Sequence, residues 1–203
     1  MKELIEVVNK LKLKNSEVRS VVEARMKEFD SVMNGGQKEI FRELCFCLLT
    51  AGTSAELGLK TIEHIGDIIF NGSEKDIQKK LKECYRFHTI RAGYIRNARD
   101  KFRDLDVKDE NIREDLVKNI KGIGMKEASH FLRNIGLSDY AIIDFHIVDL
   151  LVRNGLIEKP KTITPKKYVE IENVLRELAQ ETGTSLGELD LYLWYEETGK
   201  ILK

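Results

Sequence analysis

The sequence has little cysteine and proline and no long apolar run, and these shortages exclude several classes of protein. Its 203 residues include three cysteines, Cys45, Cys47 and Cys84, and two prolines. An odd number of cysteines without a pairing pattern indicates reduced thiols rather than a disulfide framework. No stretch approaches the roughly 20 apolar residues of a membrane span, and the acidic residues near Met1 are unlike an apolar signal peptide. The sequence therefore predicts a globular protein of the cytoplasm with no membrane partner.

An excess of either charge is also absent. The 34 basic residues balance 34 acidic ones, whereas many proteins that bind nucleic acid are basic overall. The distribution is uneven, because nine basic and two acidic residues lie between Lys79 and Arg103. A local excess of this sign suits a phosphate backbone, but a solvated helix face explains it equally well. Charge alone therefore leaves DNA binding open.

Apolar residues at helical spacing are abundant along the whole chain. Intervals of three and four separate Val18, Val22, Met26 and Phe29, and the same spacing recurs in later segments. No segment alternates with period two, and no Asn-Gly turn joins two β-branched runs. Short breaks such as residues 34–36 are typical of helix ends. The periodicity predicts an all-α fold of closely packed helical lobes.

The most informative segment runs from residue 117 to residue 134. Its pattern Ile-x-Gly-Ile-Gly-x-Lys-x-Ala, from Ile120 to Ala128, predicts a helix, a tight turn and a second helix. Gly122 and Gly124 let the backbone turn sharply and approach a ligand closely. The second helix begins there, so its free N–H groups and positive dipole end suit a DNA phosphate. We therefore expect the two glycines to bind a phosphate of DNA.

This pattern resembles the helix-hairpin-helix motif of the DNA glycosylase superfamily, which includes endonuclease III and the 8-oxoguanine glycosylases. In its lyase-active members, the lysine just past the second glycine is the nucleophile, and that position is Lys126 here. Asp144 follows Lys126 by eighteen residues within Ala141-Ile-Ile-Asp144-Phe-His146, which matches the superfamily's catalytic aspartate in its Asp-x-His context. The resemblance implies that Lys126 and Asp144 are the catalytic pair. The alternatives are an exposed lysine and an N-cap aspartate.

The chemistry suits both residues. The dipole at the start of a helix disfavours a charged ammonium, and nucleophilic attack by Lys126 requires the neutral amine. A carboxylate at Asp144 can stabilise the cationic sugar that forms as the glycosidic bond breaks. The implied reaction is base excision through a lysine Schiff base, followed by β-elimination. It implies no cofactor and no catalytic metal.

Residues that are absent from this sequence exclude several branches of the glycosylase superfamily. Endonuclease III and the adenine glycosylase carry a C-terminal four-cysteine iron–sulfur loop, and here no cysteine follows Cys84. Alkylation-repair members lack the lysine. The remaining resemblance is to the short 8-oxoguanine glycosylases of archaea and thermophilic bacteria, which implies a monomer acting on double-stranded DNA that contains 8-oxoguanine. It also implies two helical lobes with a DNA-binding cleft, residues 54–135 ending in the hairpin and residues 1–53 with 136–203.

In that branch the extruded base lies between aromatic rings, and a C-terminal lysine enters the base pocket. By resemblance these base-binding roles fall on Phe87, Trp194 and Lys203. The alternatives are an ordinary core position for each aromatic residue and a terminal tail for Lys203. Phe145 is a departure, since some relatives have a basic residue there, and it is expected to weaken one DNA contact. A glycosylase for another oxidised base and a non-catalytic DNA-binding module also stay open.

Overall fold

A computed structural model describes residues 1–14 and 16–203, and over these residues the chain forms twelve helices and no strand. The predicted all-α class is confirmed. No helix in these ranges is both long and apolar enough to cross a bilayer. In chain order the helices are α1 (Lys2–Leu11), α2 (Glu17–Asn34), α3 (Gln37–Thr50), α4 (Ala55–Ile65), α5 (Ile68–Asn71), α6 (Glu74–Lys82), α7 (His88–Phe102), α8 (Ile112–Asn119), α9 (Met125–Asn134), α10 (Phe145–Arg153), α11 (Pro165–Thr182) and α12 (Leu186–Thr198).

Several helix boundaries follow from capping side chains. Ser54, Thr164 and Ser185 precede α4, α11 and α12, and each hydroxyl accepts a hydrogen bond from an N–H of the first turn. Such caps satisfy donors that have no partner within the helix. Gly183 and Gly199 end α11 and α12 in the left-handed conformation, as helix C-termini often do. Local sequence therefore determines these ends.

The helices form two compact units. Residues 32–131 make up one of them, called here the middle unit, and residues 1–31 together with 132–203 make up the other, the terminal unit. Both dividing points fall inside helices, α2 and α9. Each of these two helices therefore contributes residues to both units.

The middle unit is organised around α3. This helix is buried on all sides and contains Leu44, Cys45, Cys47 and Leu48, all at 0% exposure. A helix that is apolar all round needs neighbours on every face, and α3 packs on α4, α5 and α7. The middle unit therefore includes α3. The lobe boundary expected from the sequence lies at residue 54 and would assign α3 to the other lobe.

The terminal unit is built on α11 and α12. Helix α1 packs on both of them, and α10 packs on α12. A buried ion pair joins the end of α9 to α12, with Nη1 of Arg133 3.3 Å from Oδ2 of Asp190. The Arg133 guanidinium also lies 4.5 Å from the ring centroid of Phe29. The ion pair thus links α9 to α12, the helix that carries Trp194.

Candidate active site

The glycine hairpin joins α8 to α9, so the predicted helix-hairpin-helix is confirmed. Gly122 has a φ of +85°, in the left-handed region that favours glycine. A β-carbon added there would lie 2.2 Å from Cδ2 of Tyr94. Both the backbone conformation and the nearby ring therefore require glycine at this position.

Helix α7 supports the hairpin through side chains that the sequence analysis missed. The Tyr94 ring packs against Gly122, and Oδ1 of Asn97 accepts a hydrogen bond from the N–H of Lys121 at 2.8 Å. The Arg91 guanidinium lies 5.4 Å from the Tyr94 ring centroid. The one sequence signal for this support is the three-residue spacing of these α7 residues, which places them on one broad helix face.

Lys126 lies in the first turn of α9. The turn is closed by Glu127, whose Oε2 accepts a hydrogen bond from the N–H of Gly124 at 3.3 Å. The Lys126 side chain is 29% exposed, and its Nζ lies 3.9 Å from Oε1 of Glu127. The lysine is therefore half-buried rather than a freely exposed surface residue. A substrate that displaces the Glu127 contact would meet the amine directly.

The basic run on α6 and α7 is partly structural. Arg99 is buried and donates a hydrogen bond to the carbonyl of Gly72 at 2.9 Å. Arg86 and Arg91 donate to carbonyls of the loop at residues 51–52, at 2.9 and 2.5 Å. These arginines satisfy backbone acceptors within the middle unit. Arg86, Arg91 and Arg99 therefore have a structural role within the middle unit.

Phe87 directly precedes α7 in the middle unit. Its ring lies 6.1 Å from that of Tyr85 and 4.3 Å from the Arg86 guanidinium. The two neighbouring rings differ in burial, since Tyr85 is 3% exposed and donates a hydrogen bond to the carbonyl of Leu49. Phe87 is only half-buried. Tyr85 therefore fills the core here, and the Phe87 ring stays partly accessible.

Asp144 lies in the terminal unit, immediately before α10. Its Oδ1 accepts a hydrogen bond from the N–H of Ile147 at 3.0 Å, so Asp144 is the N-cap of α10. The side chain is half-buried, and nothing in the described part of the chain hydrogen-bonds to Oδ2. One carboxylate oxygen therefore caps the helix while the other is left for a further contact.

Two buried side chains of α11 hold the segment that leads to Asp144. The Tyr168 hydroxyl donates to the carbonyl of Ala141 at 2.7 Å and accepts from the N–H of Ile143 at 3.1 Å. Oε2 of Glu172 accepts from the N–H of Ala141 at 3.1 Å. These bonds satisfy buried backbone groups of an irregular segment. Neither residue was predicted from the sequence, in which their four-residue spacing on α11 is the one signal.

An aromatic row lies beside Asp144 in the terminal unit, formed by Phe145, His146 and Trp194. The Phe145 and His146 ring centroids are 3.9 Å apart with planes tilted by 34°. His146 meets Trp194 edge to face, with centroids 5.1 Å apart. Trp194 is half-buried, whereas Tyr192 and Leu193 beside it on α12 are 0% and 1% exposed. Tyr192 and Leu193 therefore occupy ordinary core positions, whereas Trp194 does not.

The residues predicted from the sequence fall into two groups. Packing brings the start of α10 against α12, and so places Asp144 and Trp194 in the same unit. Lys203 ends that unit in a non-helical, half-buried segment. Within the described ranges, no three His, Cys, Asp or Glu side chains are grouped to hold a metal ion. The middle unit holds Phe87, Gly122, Gly124 and Lys126, and the terminal unit holds Asp144, Trp194 and Lys203.

Known proteins resemble this chain over nearly its whole length. Residues 22–184 match the family model described as 8-oxoguanine DNA glycosylase. The 8-oxoguanine DNA glycosylase/AP lyase of Korarchaeum cryptofilum is 50% identical over 201 residues, which cover 95% of each chain.

Two crystal structures are similar in fold as well as in sequence. One is the 8-oxoguanine glycosylase/lyase of Methanocaldococcus jannaschii in complex with a 15mer DNA containing 8-oxoguanine. It has a TM-score of 0.92 and 47% identity, and the match covers 99% of this chain and 100% of that one. The other is the 8-oxoguanine DNA glycosylase of Thermotoga maritima, with a TM-score of 0.92, 40% identity and 100% of both chains covered.

Proposed function

This chain belongs to the 8-oxoguanine DNA glycosylase family, and we propose that it excises 8-oxoguanine from double-stranded DNA and then cleaves the strand as an AP lyase. The family match confirms the resemblance inferred from the hairpin and the Asp-x-His segment. Relatives named for both activities support the proposal. The observation that carries it is a half-buried lysine in the first turn of the helix that follows the glycine hairpin.

Lys126 is the proposed nucleophile. Its neutral amine attacks C1′ of the damaged nucleotide, a C1′–N bond forms, and the C1′–N9 bond to 8-oxoguanine breaks. The base leaves with the proton that the amine loses. Opening of the sugar ring breaks the C1′–O4′ bond, protonates O4′ and gives the Schiff base. Loss of a C2′ proton then expels the 3′ phosphate by β-elimination, which nicks the strand.

Asp144 is the proposed electrostatic partner. Positive charge develops on the sugar as the base departs, and a fixed carboxylate stabilises such charge without reorganising. The N-cap bond to Ile147 holds Oδ1, and the bonds from Tyr168 hold the preceding backbone. The carboxylate is therefore pre-oriented, with Oδ2 available to the substrate. The assignment of Asp144 to the same nucleotide as Lys126 rests on the spacing of the two residues in the family pattern.

The remaining groups are proposed to bind DNA. Gly122 and Gly124 leave backbone N–H groups at the start of α9 for a phosphate. Phe87 and Trp194 offer partly accessible rings, which suit the faces of an extruded purine. Lys203 is proposed to contact the edge of that base. Extrusion costs less for a poorly stacked base, which favours a lesion over an intact pair.

The setting of the reaction follows from this chemistry. One chain carries every group that the proposed steps use, so we propose a monomer. Because the proposed substrate is DNA, we propose that the protein acts inside the cell, in the cytoplasm. Each step moves protons and breaks bonds at carbon, and none of them transfers electrons to a redox cofactor.

Borohydride capture tests the proposal. The protein is incubated with a duplex containing 8-oxoguanine, one containing an oxidised pyrimidine and an undamaged one, each with and without sodium borohydride. We expect a covalent protein–DNA adduct with the 8-oxoguanine duplex and a strand nick when the reductant is omitted. Binding with neither adduct nor nick would contradict the proposal and indicate a non-catalytic module. Preferential capture on the oxidised pyrimidine would contradict the lesion assignment.

A further inference from the structure

Phe145 has an environment unusual for an aromatic side chain. It is the first residue of α10 and is 67% exposed, the highest value among the large apolar side chains of the described ranges. An exposed phenyl ring contributes little to folding, since the hydrophobic effect requires its removal from water. The position therefore calls for an explanation other than core packing.

The ring is supported although it is exposed. One face packs on His146, with centroids 3.9 Å apart, and His146 in turn contacts Trp194. This stacking restricts the Phe145 ring and leaves its opposite side to solvent. A ring held in this way loses little conformational freedom on binding, which favours its use as a contact surface.

The location identifies the partner. Phe145 adjoins Asp144, whose Oδ2 is available for a substrate contact, and it belongs to the same aromatic row as Trp194. If the proposed function holds, as this inference requires, a sugar at Asp144 brings its neighbouring nucleotides close to Phe145. Those neighbours lose a stacking partner when the damaged nucleotide leaves the helix.

We propose that Phe145 packs against a base face that becomes exposed when the lesion is extruded. Aromatic rings bind such faces without regard to base identity. The contact is uncharged and exists only where the stack is interrupted, so it favours damaged over intact DNA. A phosphate contact, in contrast, would strengthen binding to both. Phe145 thereby adds selectivity for distorted duplexes to the recognition of the lesion itself.

The experiment compares binding to two duplexes of the same sequence. One contains a tetrahydrofuran abasic analogue, which has unstacked neighbours but cannot form a Schiff base, and the other is intact. Phe145→Ala is expected to weaken binding to the analogue about tenfold, as the loss of one base–aromatic stack does. Binding to the intact duplex and the salt dependence of both affinities should stay the same, because no charge is removed.

Two further variants act as controls. Phe145→Tyr keeps an aromatic ring and should retain the preference for the analogue. Leu13→Ala removes another exposed apolar side chain, 62% exposed in the wild-type protein, and should leave both affinities unchanged. Unchanged binding of Phe145→Ala to the analogue, or equal losses on both duplexes, would overturn the proposal. Wild-type cleavage of the 8-oxoguanine duplex, measured alongside, tests the proposed function separately.

Discussion

The two units present their proposed functional groups in different ways. In the middle unit, the hairpin and Lys126 lie within nine consecutive residues, 120–128. In the terminal unit, Asp144 and Trp194 are fifty residues apart and are brought together by the packing of α10 on α12. The position of the nucleophile is therefore set locally, whereas the carboxylate and the aromatic row depend on tertiary packing. We expect changes at the hairpin to stop the chemistry and changes in the terminal unit to alter rate or recognition.

The largest effect is expected at the nucleophile. Lys126→Gln keeps much of the length and polarity of the side chain but removes the amine, so strand cleavage should fall by about 10³ or more. Binding to the lesion duplex should be largely retained. Lys118→Gln, at an exposed lysine of α8, is the matched control and should cleave normally. Gel analysis of nicked strands measures both, and normal cleavage by Lys126→Gln would exclude this residue as the nucleophile.

The next effect concerns charge in the terminal unit. Asp144→Asn should slow base release by about 10², because it removes a charge aimed at a cationic transition state. Asparagine is also a good N-cap, so the bond from Ile147 and the melting temperature should be preserved. Single-turnover excision and thermal unfolding are measured together. A large fall in melting temperature with a normal rate would assign Asp144 a capping role alone.

A smaller and more selective effect is expected at the chain end. Deletion of Lys203 should reduce excision of 8-oxoguanine about ten- to a hundredfold, as the loss of polar contacts to a buried base does. Cleavage at a pre-formed abasic site should survive, since that substrate presents no base. Rates on the two substrates are compared with those of the full-length protein. Equal losses on both would indicate a structural role for the last residues, and no loss on either would indicate a free tail.

The smallest effect is expected at Asn97, where a role in positioning the hairpin can be distinguished from a contribution to stability alone. Asn97→Ala removes the acceptor for the N–H of Lys121 and should lower the free energy of unfolding by about 1 kcal/mol. It should also slow cleavage at an abasic site a few-fold. Asn154→Ala removes a side-chain bond to the carbonyl of Leu150 in the terminal unit, and should cost similar stability at normal rate. Equal cleavage rates for the two variants would contradict a role for Asn97 in positioning the hairpin.

The fold class and the hairpin could be predicted because each depends on neighbouring residues. Helical periodicity needs one segment at a time, and Gly122 needs its left-handed turn whatever surrounds it. The support of the hairpin by Tyr94 and Asn97 could not be predicted, since polar and aromatic residues on a helix face give no sign of their partner. The same holds for Tyr168, whose hydroxyl accepts a hydrogen bond from the N–H of Ile143, 25 residues earlier in the sequence.

The extent of each unit could not be predicted either. From the sequence, α3 was expected in one lobe with the terminal residues, because the periodicity of α3 alone does not show which helices cover it. Burial of α3 on every side, among α4, α5 and α7, assigns it to residues 32–131. The double role of Asp144 was likewise posed as a choice between capping and catalysis, whereas its two carboxylate oxygens allow both.

The central claim is that Lys126 forms the covalent bond to the sugar, and mapping of the captured adduct tests it most directly. The complex with 8-oxoguanine DNA is reduced with borohydride, digested with nuclease and protease, and its modified peptide is sequenced by mass spectrometry. We predict that the sugar remnant is attached to Nζ of Lys126. Attachment to another lysine, or to the amino group of Met1, would contradict the account.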